Sequence, residues 1–163
     1  MVGRLQGELK QNKPFASIEV EAFLNLVRTA DMLGRHLGGL LKSHDLTMTQ
    51  YNVLRILRGA GTSGLPCGEI GARLVTWDPD ITRLIDRLEK RALVARARED
   101  ADRRVVLVRL TATGTAFLAE IDADEQVNTA LQTALGHIPG PDLAQLITAL
   151  ENIRDHLRSE AQP

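Results

Sequence analysis

Apolar residues fall into stripes along this chain, and the stripes predict a series of helices interrupted once by two short strands. From position 17 to about 43, Phe23, Ala30 and Leu37 recur every seven residues, as do Leu26, Leu33 and Leu40, and Val20, Leu24, Val27 and Leu41 widen the face. This spacing predicts one long amphipathic helix. A face so wide needs more than one neighbour, and heptads bury best against another helix, so the stretch reads as one side of a dimer interface. Gly34, Gly38 and Gly39 within it each lose roughly 1 kcal/mol of helix propensity against alanine, and mark a bend or a close backbone approach. Thr47-Met48-Thr49-Gln50 has the order of a capping box and opens a second helix, with Tyr51, Val53, Leu54, Ile56 and Leu57 on its core side and Gly59, Gly61 and Gly64 at its end. Leu65-Pro66 is a short extended piece. A third, short helix runs from 67 or 68 to 74, buried through Ile70 and Leu74.

The fourth helix is the one with two distinct faces. Asp78 is a favourable N-cap and Pro79 suits the first helical position, so the helix is expected to begin there. Ile81, Leu84, Ile85 and Leu88 form the core stripe, leaving Asp80, Thr82, Arg83 and Arg87 on the polar side. Trp77, just before the cap, is expected to pack on the helix start as a hydrophobic staple. Two β-prone runs follow at 93–99 and 105–110, joined by a charged connection, and they predict a hairpin. Two short helices and a hairpin in this order make a helix-turn-helix with a wing, whose second helix can place its polar N-terminal end in a DNA major groove. Arg103 and Arg104, near the hairpin tip, can reach the flanking backbone or minor groove.

Beyond the hairpin, Thr111 is an N-cap for a helix running to about 135, with Phe117, Ile121, Val127 and Leu131 as its larger apolar groups. Gly136 to Pro141 is a break, and a final helix carries Leu143, Leu146, Ile147, Leu150, Ile153 and Leu157 at helical spacing. The expected fold is therefore mainly α with a small β-hairpin wing: a winged helix-turn-helix of six helices, dimerised through its N- and C-terminal helices. Residues 1–16 are expected to be a flexible lead-in and 17–163 a single domain. Within it, 17–45 and 111–163 supply the dimerisation helices and 46–110 the DNA-binding lobe.

Charge sharpens this picture. Across 163 residues the net charge is only −1, yet residues 83–110 hold nine basic and five acidic side chains, while 111–163 hold two basic and eight acidic ones. A basic lobe joined to an acidic body suits presentation to phosphates. The same charges would also suit a merely solvated face. The composition, 44% hydrophobic and 25% charged, is that of a globular protein. No apolar run approaches the length of a membrane span, and the N-terminus lacks the apolar core of a signal peptide, so a cytoplasmic protein without membrane contact is expected. Cys67 is the single cysteine, which rules out an intrachain disulfide and a thiolate zinc cluster. His36 and His44 lie eight apart, His137 and His156 far along the chain, and no carboxylate cluster accompanies them; no metal and no cofactor are expected. Nor does the chain carry a phosphate-cradling glycine loop, a histidine-carboxylate motif or a nucleophile elbow, so it is not read as an enzyme.

The segment Asp102-Arg103-Arg104-Val105-Val106-Leu107-Val108-Arg109-Leu110-Thr111-Ala112-Thr113-Gly114 resembles the wing signature of the multiple antibiotic resistance regulator (MarR) family of bacterial winged-helix transcription factors. Thr82-Arg83-Leu84-Ile85-Asp86-Arg87-Leu88-Glu89, and Leu46-Thr47 with Gln50, Val53, Leu54 and Leu57, are similar to that family's recognition and second helices, and the likeness spans about 18–157. It implies a homodimer on a palindromic double-stranded operator, usually as a repressor, released by an effector that in this family is often a small aromatic or phenolic acid. It also implies that Pro79, Asp80, Thr82 and Arg83 face the major groove with Arg87 nearer the backbone. Arg104 would enter the minor groove, braced by Asp102, while Arg103 would contact phosphate or brace the wing. Asp80 would tune specificity more than affinity. At position 92, where the family usually has glycine, this chain has alanine. Two other readings share these residues: a winged-helix protein-interaction module, against which the arginines at 83, 87, 103 and 104 argue, and a redox sensor built on Cys67, although sensing relatives carry their cysteine in the first helix. The residues that bind an effector are not legible, since aromatic side chains make up only 3% of the chain.

Overall fold

The computed structural model describes residues 4–98 and 105–161. Its elements run α1 (Arg4–Glu8), α2 (Ile18–Leu41), α3 (Met48–Ala60), β1 (Leu65–Pro66), α4 (Cys67–Arg73), α5 (Ile81–Lys90), β2 (Val94–Arg98), β3 (Val106–Leu110), α6 (Ala112–Ala123), α7 (Glu125–Leu135) and α8 (Gly140–Glu160). Single 3₁₀ turns follow α2 and α3. The chain divides into two compact units, 1–127 and 128–163.

Caps set the helix boundaries of the first unit. Ser17 accepts from the Val20 N–H, and Thr47 and Gln50 complete the capping box reciprocally. Thr111 accepts from the Gly114 N–H at 2.9 Å. Each satisfies amides that the first turn of a helix leaves without partners. Inside, Val53, Leu54 and Leu57 of α3, Ile70 of α4, Ile85 and Leu88 of α5, Val94 and Val108 of the strands, and Leu118 and Ile121 of α6 form one buried cluster. The sheet is antiparallel in the order β1-β3-β2, with Leu65 opposite Val108 and Arg98 opposite Val106. Leu65-Pro66 is thus a third strand, not a free extended piece.

Four expectations need correction. The lead-in contains a helix, α1, in which Leu5 is buried and Glu8 pairs with Arg28 of α2 at 2.8 Å. The helix expected over 111–135 is two, because Asp124 leaves the helical conformation and its carboxylate accepts from the Gln126 N–H at 3.0 Å, recapping the chain for α7. The same carboxylate bonds His44 Nε2 at 2.9 Å. Helix α5 starts two residues later than expected, with Asp80 as its N-cap, while Asp78 accepts from the Asp80 N–H in a turn before it. That shift leaves Pro79 directly before the cap and Trp77 too early to staple the helix; Trp77 is 82% exposed.

The hydrogen bond from His44 holds the Asp124 carboxyl below the ordinary carboxylate range. A depressed carboxyl contributes stability that is complete above its unfolded pKa and is lost as pH falls through the folded value. The stability difference between the native chain and Asp124→Asn should therefore shrink on acidification, read as urea midpoints between roughly pH 6 and pH 3.

Helix α5 ends in a Schellman motif: the Ala92 N–H reaches Glu89 O, and the Leu93 N–H reaches Leu88 O at 3.0 Å. The motif places Ala92 at φ +56°, a left-handed conformation that a Cβ disfavours. Ala92→Gly is expected to stabilise the fold by about 0.5–1 kcal/mol, the relief of strain exceeding the entropy that glycine adds to the unfolded chain. A thermal melt would show it as a rise of a few degrees.

The two long helices are sparsely covered. In α2 only Leu41 is buried, while Ile18, Phe23, Val27 and Met32 are exposed. No residue of α8 is buried, and Ile147, Ile153 and Leu157 are each half exposed or more.

Candidate nucleic-acid interface

Helix α5 inserts Leu84, Ile85 and Leu88 into the core and leaves Thr82, Arg83, Arg87 and Lys90 exposed. Pro79 and Asp80 are exposed just ahead of them, so the structure brings four sequence-predicted positions together at the start of this helix and its lead-in, with Arg87 further along it. Asp80 has a different immediate task from the one expected of it. Its Oδ1 accepts from the Arg83 N–H at 3.3 Å, and its Oδ2 lies 3.1 Å from Arg83 Nε. Both side chains are open to solvent, so the pair is weak and easily exchanged for a phosphate or a base edge, while still orienting the guanidinium. Arg87 joins no ion pair among the described residues.

Several arginines of the basic segment are committed elsewhere. Arg96 of β2 bonds Asp86 at 2.6 Å and also Glu89, both on α5, and thereby fastens the helix to the sheet. Partial burial works against its charge, but the two carboxylates outweigh that and hold its pKa above the ordinary arginine value. Arg91 donates to Asp45 O at 2.6 Å and His44 O at 3.3 Å, with its guanidinium over the Phe117 ring. Arg109 donates to Ser63 O at 3.1 Å. Net charge along the sequence counted these three as available, yet each is a strut. The one sequence signal for Arg96 was the spacing of Asp86 and Glu89, three apart on one helix face.

The hairpin forms as expected, β2 and β3 pairing along their full length. Its connection carries Asp102, Arg103 and Arg104, which lie outside the described residues. Cys67 is half-buried at the first position of α4. Among the described residues no group of three or more histidine, cysteine or carboxylate side chains could hold a metal ion, and no helix is long and apolar enough to cross a membrane.

Comparison with known proteins places this arrangement. The model of the MarR family matches residues 46–106, the segment from just before α3 into β3. The HTH-type transcriptional regulator TtmR of Methylorubrum extorquens is 32% identical over 148 residues, covering 89% of this chain and 71% of that protein. The chain belongs to the MarR family. A MarR transcription factor from Planctomyces limnophilus, whose crystal structure is known, is 40% identical over 84% of this chain and 98% of that one, with a TM-score of 0.63. CouR from Rhodococcus jostii RHA1, crystallised bound to p-coumaroyl-CoA, is 27% identical, covers 91% of this chain and 97% of its own, and superposes with a TM-score of 0.66. In this MarR-family winged helix-turn-helix, α4 and α5 form the helix-turn-helix against α3, and β2 and β3 form the wing. The relatives it resembles are named as transcriptional regulators.

Proposed function

We propose that this MarR-family protein is a homodimeric repressor that binds a palindromic operator and is released by a small effector. The observation that carries this reading is the start of α5. Thr82 and Arg83 stand exposed at the N-terminal end of a helix whose opposite face is locked in the core, with Arg87 exposed further along it, and the Asp80 cap fixes the direction in which that end points. Pro79, Asp80, Thr82 and Arg83 face the major groove, and Arg87 meets the backbone. Arg104 enters the minor groove with Asp102 bracing it, and Arg103 supplies a phosphate contact or a second brace.

The open apolar faces of α2 and α8 support the dimer, because stripes of this size are seldom left in water. Phe23→Asp should shift the protein from dimer to monomer in sedimentation equilibrium, with its far-ultraviolet circular dichroism unchanged, since Phe23 is 62% exposed in the single chain. A dimer of undiminished stability would refute the assignment. An aromatic or phenolic acid, free or as a thioester of the kind bound to CouR, is the effector class to screen. Such a ligand acts by favouring a separation of the two recognition helices unlike the ~34–36 Å of one DNA turn.

The deciding experiment is fluorescence anisotropy on the duplex upstream of the protein's own gene, against a scrambled duplex, over a salt series. A preference of at least ~10³ supports sequence-specific regulation, and the salt slope counts phosphate contacts. Equal, weak binding there, with no duplex enriched from a random pool, would favour a protein-interaction module.

A further inference from the structure

Trp77 is the single tryptophan of the chain, and it stands in solvent. It is 82% exposed, and Val75, two residues before it, is 88% exposed. A loose loop would explain such exposure, but this turn is pinned on both sides. The Val75 N–H donates to Asn52 Oδ1 of α3 at 2.9 Å. The Asp80 N–H donates to Asp78 Oδ1 at 2.8 Å, and Asp80 in turn caps α5. The backbone is thus held from α3 to the start of α5 while two large apolar side chains are presented outward between them. The turn runs without interruption into the exposed Pro79, Thr82 and Arg83.

In a helix-turn-helix the start of the second helix meets the bases, so the turn that feeds it lies over or beside the same groove. An isopropyl group gains nothing from phosphates or most base edges, and an indole offers them a single N–H while the rest of its surface is apolar. The thymine C5-methyl is the one apolar group that the major groove displays. We propose that Trp77, with Val75 beside it, is a specificity-determining contact, packing on a thymine methyl next to the bases met by the start of α5. This rests on the DNA-binding reading given above and adds to it a base preference carried by side chains outside the helix. A tryptophan suits the task because it offers a large rigid face with only two side-chain torsions to fix.

The test uses the full chain and a duplex selected by it from a random pool. With one tryptophan, indole emission excited selectively over that of Tyr51 reports on this position alone. Binding to the selected duplex should change that emission and protect it from acrylamide quenching. Replacing thymines by deoxyuridine one at a time removes single methyl groups; at one position per half-site the native chain should lose about fourfold in affinity. Trp77→Ala should bind the unmodified duplex about tenfold more weakly, melt at the same temperature as the native chain, and be indifferent to the methyl at that position. Unchanged emission and quenching on a tightly bound duplex, or methyl losses of equal size in Trp77→Ala, would overturn the contact while leaving DNA binding intact. Failure to enrich any duplex would overturn both.

Discussion

Arg83→Ala is expected to bind a selected operator about 10- to 100-fold more weakly than the native chain and to lose discrimination at one base position per half-site. Arg83 is 78% exposed, so the loss would not reflect a damaged core. Its partner Asp80 remains a competent N-cap after the substitution, because the bond it accepts comes from the backbone N–H of residue 83. Arg83→Lys separates charge from shape. Lysine keeps the positive charge but not the planar fork that bonds two acceptors of guanine at once, so a base-reading Arg83 predicts a lysine variant nearly as weak as alanine. A phosphate-binding Arg83 predicts instead a largely rescued lysine variant, a uniform loss across sequences in alanine, and a salt slope reduced by about one per site. Anisotropy at several salt concentrations, on duplexes carrying each single base change, distinguishes the two. Full retention of affinity and specificity in Arg83→Ala would remove this residue from the interface.

The largest loss of stability is expected at Gly114. A Cβ there would lie 1.9 Å from the Leu93 carbonyl oxygen, well inside van der Waals contact and against backbone, not a movable side-chain end. Nor is that carbonyl free to withdraw, because it accepts from the Thr111 N–H at 3.2 Å and stands 3.3 Å from the Thr111 hydroxyl. Thr111 in turn caps α6 through the Gly114 N–H. Cap, strand entry and glycine form one closed set of contacts, and an added methyl must break part of it. Gly114→Ala should cost about 3 kcal/mol, seen as a melting temperature lower by roughly 6–12 °C. A variant melting within a degree or two of the native chain would show that the strand start yields more easily than its bonding suggests.

What could be read from the sequence was whatever depends on neighbours in the chain. Apolar periodicity located α2, α3 and α8, and local caps at Thr47 and Thr111 set the starts of α3 and α6, because a hydroxyl and the amide it accepts from lie within one helical turn. The hairpin followed from alternation alone. Features that depend on distant partners were out of reach. The break at Asp124 involves His44, eighty residues earlier, and the aspartate that recaps the chain locally is by itself a weak sign of it inside a helical run. The withdrawal of Arg91, Arg96 and Arg109 from the basic surface requires knowing which carbonyls and carboxylates fold beside them. Pairing of Leu65-Pro66 with β3 is equally non-local. The misplaced start of α5 has another origin: Asp78 and Asp80 are both good caps flanking a proline, and the local preference for proline at the first helical position pointed to Asp78. Trp77 followed that error, since a staple is defined only relative to the cap.

One backbone angle extends to the history of the sequence. The carbonyl of Asp45, which accepts from Arg91 at the end of α5, belongs to a residue at φ +53°. Its side chain is exposed, so nothing about size or polarity restricts it. Left-handed geometry does, because only glycine, asparagine and aspartate adopt it routinely. Among descendants of this chain that still hold Arg91 in this way, position 45 should drift chiefly within those three residues, since other side chains carry the strain that Ala92 carries: a narrow alphabet at a site that looks, from its exposure, free to vary.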